Sequence, residues 1–157
     1  MRIKGLVDED FVNYRKASMF IATTTCNWKC CNECGKAICQ NLPLASAPNI
    51  EINDTQIVSR YITNPLTSAI VFGGLEPLDQ LQELLNLVGM FRCYTNDDIV
   101  IYTGYTEEEI KEQVGLLSQY TNIIIKFGRF VPDQESHYDD VLGIKLASPN
   151  QYARKIS

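Results

Sequence analysis

Ser68-Ala-Ile-Val-Phe72, running directly into Gly73-Gly-Leu-Glu-Pro77, is the stretch from which the fold class is read. A continuous apolar run closed by a glycine turn marks a strand buried on both faces, as in a parallel sheet covered by helices. The next segment is helical: Leu78, Leu81, Leu84, Leu85, Val88 and Phe91 recur at intervals of three and four and make one apolar stripe. Asp98-Ile-Val-Ile-Tyr102 then repeats the buried-strand pattern and closes at Thr103-Gly104. Strand, helix and strand make a unit whose right-handed crossover lays its two strands parallel.

The same alternation extends outward. Downstream, Thr106-Glu-Glu-Glu109 is a capping box opening a helix that buries Ile110, Val114 and Leu117. Asn122-Ile-Ile-Ile-Lys-Phe127 is a further strand with Gly128 as its turn, and a weaker one is expected near Val141 to Leu146. Upstream, Asp54 is expected to cap a helix with Ile57, Val58, Tyr61 and Ile62 on one face, stopped at Asn64-Pro65. Ser18 to Thr25 reads as a strand ending at Cys26. Asp8 to Arg15 reads as polar and turn-like, and Asn41 to Asn53, with Pro43 and Pro48, as a loop. The expectation is one α/β domain over residues 1–157 built on a mostly parallel sheet.

At 157 residues and 45% hydrophobic content the chain can bury a core without disulfides. Its net charge of -5 argues against nucleic acid or an anionic membrane as the main partner. Neither an apolar run of transmembrane length nor the apolar core of a signal peptide is found, so a cytoplasmic location is expected. In a reducing compartment clustered cysteines are ligands more often than disulfides.

That matters because five of the six cysteines fall within Cys26-Asn-Trp-Lys-Cys30-Cys31-Asn-Glu-Cys34-Gly-Lys-Ala-Ile-Cys39. Crowded thiolates repel unless a cation or an iron–sulfur core neutralises them. Three chemistries compete. Structural zinc wants four ligands, usually as two Cys-x-x-Cys knuckles, and only Cys31 to Cys34 makes one. A redox dithiol at the same pair leaves the other cysteines unexplained. An iron–sulfur cluster held by three cysteines leaves one iron open to a small molecule.

Ligands of parallel sheets bind at the carboxyl ends of the strands. Cys26, Gly73-Gly74, Thr103-Gly104 and Gly128-Arg129 all come directly after strands, so one site assembled from four loops is the geometric expectation. Trp28 reads as a packing residue shielding that site, His137 as a solvated loop residue and Cys93 as a buried thiol. Arg129 reads equally as a carboxylate partner or a solvated cation.

Taken together the motifs resemble the radical SAM superfamily, and within it the activating proteins of the anaerobic (class III) ribonucleotide reductase. Cys26, Cys30 and Ile38-Cys39-Gln-Asn41 are similar to the two ends of the family's cysteine motif, with an insertion between them. Gly73-Gly-Leu-Glu-Pro77 is similar to its Gly-Gly-Glu-Pro loop with Leu75 added. Tyr102-Thr-Gly-Tyr105, Lys126-Phe-Gly-Arg-Phe130 and Ser148-Pro-Asn-Gln151 resemble later activase segments, with Phe127 where an acidic residue is usual.

The resemblance implies a small incomplete, partial TIM-like barrel and a 4Fe-4S cluster on Cys26, Cys30 and Cys39, with Cys34 the alternative third ligand and Cys31 a spectator. It implies S-adenosyl-L-methionine bound near Ile38, Gly73, Gly74, Glu76 and Thr103. The implied activity is reductive cleavage of that cofactor to place a glycyl radical on the large anaerobic ribonucleotide reductase subunit, fed by a flavodoxin-like or ferredoxin-like donor. The alternatives are a non-catalytic zinc or iron–sulfur module, and a radical SAM enzyme acting on another glycyl-radical enzyme or a peptide.

Overall fold

The structure, a computed structural model, describes residues 1–157. Its main sheet has six strands in the order β1 (Ile3–Asp10), β2 (Ser18–Thr23), β3 (Ala69–Gly74), β4 (Asp98–Tyr102), β5 (Ile123–Phe127) and β8 (Tyr152–Lys155). β2 to β5 are mutually parallel, and β1 and β8 close the two edges antiparallel. A separate hairpin pairs β6 (His137–Asp139) with β7 (Ile144–Leu146). Five α-helices complete the chain: α1 (Lys29–Cys34), α2 (Leu42–Ser46), α3 (Asp54–Thr63), α4 (Leu81–Arg92) and α5 (Lys111–Leu117).

The α/β class and the mostly parallel sheet agree with the sequence expectation. Because each crossover advances to the next strand, the parallel order is sequential and α3, α4 and α5 all lie on one face. There Ile57, Tyr61, Leu84, Val88, Phe91 and Leu117 pack on Ile70, Phe72, Ile99, Ile101, Ile125 and Phe127. Phe91 and Tyr61 meet edge to face at 5.5 Å. The opposite face, carrying Ala69, Val71, Val100, Ile124 and Ala153, is covered by Tyr14, Leu142 and Leu146, the last from β7. The inner strands β3, β4 and β5 therefore bury both sides, which is why β3 and β5 read as unbroken apolar runs.

The departures have local causes. β1 extends through Asp10 where a turn was expected, because an edge strand with half-exposed positions shows no alternation. β8 buries only Ala153 and carries no apolar run. Within the expected loop at 41–53, α2 forms over Leu42–Ser46 with Pro43 in its first turn, where its missing N–H is harmless. Asn53, not Asp54, caps α3: its side chain accepts from the Gln56 amide, and Gln56 returns the bond. Ile62 turns outward, 44% exposed. Asn53→Ala is expected to cost ~1 kcal/mol in urea denaturation, and an unchanged midpoint would count against the cap.

Cys93 is exposed rather than buried, since it is the C-cap residue of α4, just past the buried stripe. His137 belongs to β6 rather than a solvated loop, with a buried Nδ1. No helix is long and apolar enough to cross a membrane.

Candidate metal centre

Parallel pairing of β2 to β5 puts their carboxyl ends along one edge, so the loops opening at Thr24, Leu75, Thr103 and Gly128 meet there. The Thr25 carbonyl accepts from the Glu76 amide at 2.7 Å, and the Lys126 carbonyl from the Thr103 amide at 2.8 Å. A Cβ on Gly104 would stand 3.6 Å from both Cys30 Sγ and Glu76 Oε2 and 3.7 Å from Arg129 Cγ. The four loops do converge.

Beside Cys26 lies an open cleft of about 460 Å³ lined by Thr24, Thr25, Cys26, Asn27, Trp28, Ala45 and Asp79. That is within the range of small-molecule sites. The hydroxyls of Thr24 and Thr25 are buried in its wall without a hydrogen-bond partner. Trp28 is half-buried in the same wall, and its backbone is left-handed at φ 61°. That strained turn directs the Trp28 amide at Cys26 Sγ, 3.3 Å away.

The thiols sort into two groups. Cys26, Cys30, Cys31 and Cys39 are half-buried, and Cys34 is exposed on α1. Burial pushes the Cys26 thiol up to about 11, the Trp28 amide opposing, with Glu76, Asp79 and Cys30 adding to the rise. Burial also raises Cys30, the Phe130 amide opposing, and the neighbouring Cys39 raises it further. Cys39 Sγ accepts from the Asn41 amide at 3.4 Å. Cys26 and Cys39 thus each accept from the backbone amide two residues further on.

No three Cys, His, Asp or Glu side chains are gathered at metal-binding distance. The donor set nevertheless fits a cluster. Amide bonds to sulfur stabilise cluster thiolates, and neither α1 nor α2, which carry the loop, has a buried residue to hold it open.

Around the cysteines runs a polar clasp. The Tyr105 hydroxyl donates to Asp79 at 2.7 Å and receives from the Asn27 side chain, while the Asn27 amide reaches the other Asp79 oxygen at 2.9 Å. Arg129 is a carboxylate partner: it bridges Glu109 at 2.6 Å and Glu33 of α1 at 3.2 Å. Its hydrogen bond holds the Glu109 carboxyl down at about 2, against some desolvation and with help from the Thr106 amide and Lys29. Lys29 bonds Glu109 at 3.1 Å and lies 4.6 Å above the Tyr105 ring.

Of the residues the resemblance implies for cofactor contact, none lines the cleft itself. Gly73 packs where a Cβ would come 3.1 Å from the Phe20 ring. Gly74, at φ 82°, leaves no room for one beside Leu44, at 2.7 Å, and its carbonyl accepts from the Asn41 side chain at 2.5 Å. Ile38 is half-buried between α1 and α2. Glu76 is buried behind the cleft: Oε1 accepts from Thr103 Oγ1 at 2.8 Å and the Leu78 amide at 3.2 Å, and Oε2 from the Gly104 amide at 2.9 Å.

Burial pushes Glu76 up to about 7, those three bonds opposing. The folded chain therefore binds a proton that the unfolded chain releases at its ordinary 4.5. Stability is fully present below that value and falls as pH rises toward 7, by about 3 kcal/mol. Urea midpoints of the cluster-free protein should decline over that window, and the decline should flatten in Glu76→Gln. A Glu76→Gln slope equal to wild type would assign the effect elsewhere.

Sequence reasoning passed over Thr24, Thr25 and Asp79, and took Lys126 only as the start of a segment that resembles the activases. Only Lys126 left a signal, a lysine inside the apolar run Ile123-Ile-Ile-Lys-Phe127.

The structure is an α/β protein whose cysteine-rich loop opens at the carboxyl edge of its parallel sheet. A family model for the 4Fe-4S single cluster domain matches residues 15–151, which takes in the five clustered cysteines and every converging loop. The chain belongs to that family and is an iron–sulfur protein. Neither a curated protein nor a solved structure matches it.

Proposed function

We propose that the protein is a radical SAM activase that places a glycyl radical on an anaerobic ribonucleoside-triphosphate reductase. The observation that carries the reading is the placement of the cysteine loop, in which Cys26 and Cys39 Sγ each accept from a backbone amide, at the carboxyl edge of the parallel sheet, with Cys26 lining a cleft of about 460 Å³. Three thiolates leave one iron of a 4Fe-4S cluster without a protein ligand. When bound, the cluster supplies the electron that splits the sulfonium carbon–sulfur bond of S-adenosylmethionine into methionine and a 5'-deoxyadenosyl radical.

The chain's own residues bind and position. The unpartnered hydroxyls of Thr24 and Thr25 offer hydrogen bonds to polar groups of the cofactor in the cleft. Glu76 is a positioning residue that fixes Thr103 and Gly104 against Cys30. The clasp of Asn27, Asp79 and Tyr105 holds the loop between Cys26 and α1 over the site. The sequential parallel strands, with α3, α4 and α5 on one face, are the wall of a partial barrel in this reading. The electron comes from a flavodoxin-like or ferredoxin-like donor.

The target is tested by mixing reconstituted protein with the large reductase subunit, reductant and S-adenosylmethionine, then recording electron paramagnetic resonance. A glycyl-radical signal with wild type, absent with Cys26→Ala, is expected. Cofactor cleavage with no radical on that subunit would move the target to another glycyl-radical enzyme or a peptide.

A further inference from the structure

We infer that α1, which carries Cys30, Cys31 and Cys34, is a charge-latched flap, and that Arg129 is the positioning residue holding it shut against the loops after β4 and β5. Opening of the flap bares Cys30 and so controls the access of metal ions and thiol reagents to the cysteine loop. The inference needs no bound metal and stands independently of the proposed activity.

The hydrophobic core does not fasten α1. None of its residues is buried, none joins either core cluster, and Asn32 to Ala37 are all exposed. Left-handed residues bracket it, Trp28 at φ 61° and Gly35 at φ 63°. A helix this short has no stability of its own in water, so contacts from elsewhere must keep it in place. Charged side chains supply them. Lys29 Nζ reaches Glu109 at 3.1 Å, and one turn later Glu33 lies 3.2 Å from Arg129. Arg129 also holds Glu109 at 2.6 Å, so a chain of four charges begins and ends on α1. Its two ends stand four residues apart, on one face of the helix.

Arg129 is the fixed member of that chain, its side chain 10% exposed against 60% for Glu33. A Cβ on Gly104 would lie 3.7 Å from Arg129 Cγ and 3.6 Å from Cys30 Sγ, so the arginine stem and the thiol rest on one wall. Releasing α1 from Arg129 therefore takes Cys30 off that wall. The contact at the α1 end is the one that gives. Arg129 Nε faces Glu33 at 3.2 Å without the alignment of a hydrogen bond, which makes it a contact of charge alone. In a half-solvated place such a contact is weak and is screened by salt.

The test is timed alkylation of the full-length, cluster-free protein with N-ethylmaleimide, read at each cysteine by tandem mass spectrometry, alongside hydrogen–deuterium exchange. Raising sodium chloride from about 0.05 M to about 1 M cuts the screening length to about 3 Å and should speed alkylation of Cys30 severalfold. Cys34, exposed whether the flap is shut or open, should keep its rate. At low salt Arg129→Gln is expected to raise the Cys30 rate roughly fivefold or more and to remove most of the salt effect. The amides of Asn32 and Lys36, bonded within the flap, should exchange faster with it. Arg129→Lys, which keeps the charge without the two-sided fork, should fall between. Lys29→Gln combined with Glu33→Gln changes only α1, leaves Arg129 on Glu109, and should match Arg129→Gln. A Cys30 rate indifferent to salt and unchanged in that double variant overturns the inference. Faster exchange throughout β5 in Arg129→Gln, with the double variant like wild type, makes Arg129 a packing residue and overturns it as well.

Discussion

Cys30→Ala is expected to hold roughly a tenth or less of the wild-type iron and sulfide after anaerobic reconstitution, and Cys34→Ala the full amount. Cys30 is half-buried and lies between Cys26 and Cys39 along the loop. It is also the sulfur against which Gly104 packs, so it joins the cysteine loop to the sheet. Cys34 faces solvent at the end of α1, and no amide donates to it. Cys26→Ala and Cys39→Ala should behave as Cys30→Ala does. Full cluster content in Cys39→Ala, with loss in Cys34→Ala, would transfer the third ligand to Cys34. Because burial keeps Cys26 and Cys30 protonated at neutral pH, iron uptake must release protons and should strengthen as pH rises toward 9.

Gly128→Ala is expected to destabilise the fold by about 4 kcal/mol. Gly128 has φ 95°, and a Cβ there would lie 2.5 Å from the Asn150 carbonyl oxygen and 3.2 Å from Gln151 Cα. Both obstacles are backbone and cannot swing aside. The position is also a junction: the Gly128 amide donates to the Tyr105 carbonyl at 2.9 Å, and its own carbonyl accepts from Lys126. A shift at Gly128 therefore reaches the β4 loop, the β5 loop and the turn before β8 together. Many domains have only about 5–15 kcal/mol in total, so the variant should unfold at markedly lower urea. Gly115→Ala is the control, since nothing lies within 4 Å of its added carbon, and it should be neutral or slightly stabilising. A loss below about 1 kcal/mol in Gly128→Ala would show that the loop yields cheaply.

The parallel core was legible because β3, β4 and β5 are buried on both faces and α4 has an uninterrupted stripe. The edges were not. β1 and β8 owe their strand state to pairing with β2 and β5, a long-range gain that no local pattern in Asp8-Glu-Asp10 or Tyr152-Ala-Arg-Lys155 announces. At the site, crowded cysteines and glycines after strands pointed to the right edge of the sheet. Glu76 was visible as a conspicuous acid, yet its partners Thr103 and Gly104 lie 27 and 28 residues away, so its bracing role depends on tertiary structure. Arg129 could not be assigned until Glu33 and Glu109 were found around it. Asp79 stands in ordinary sequence, and its bond to Tyr105 arises only from the convergence of the β3 and β4 loops.

The proposed chemistry is tested most directly by reconstituting the protein anaerobically with iron and sulfide, adding dithionite and S-adenosylmethionine, and quantifying methionine and 5'-deoxyadenosine. Equal amounts of both products from wild type, and neither from Cys26→Ala, are the predicted result. No products from a protein that carries zinc at one per chain and takes up no iron would contradict the account, leaving a metal-binding module on the same sheet.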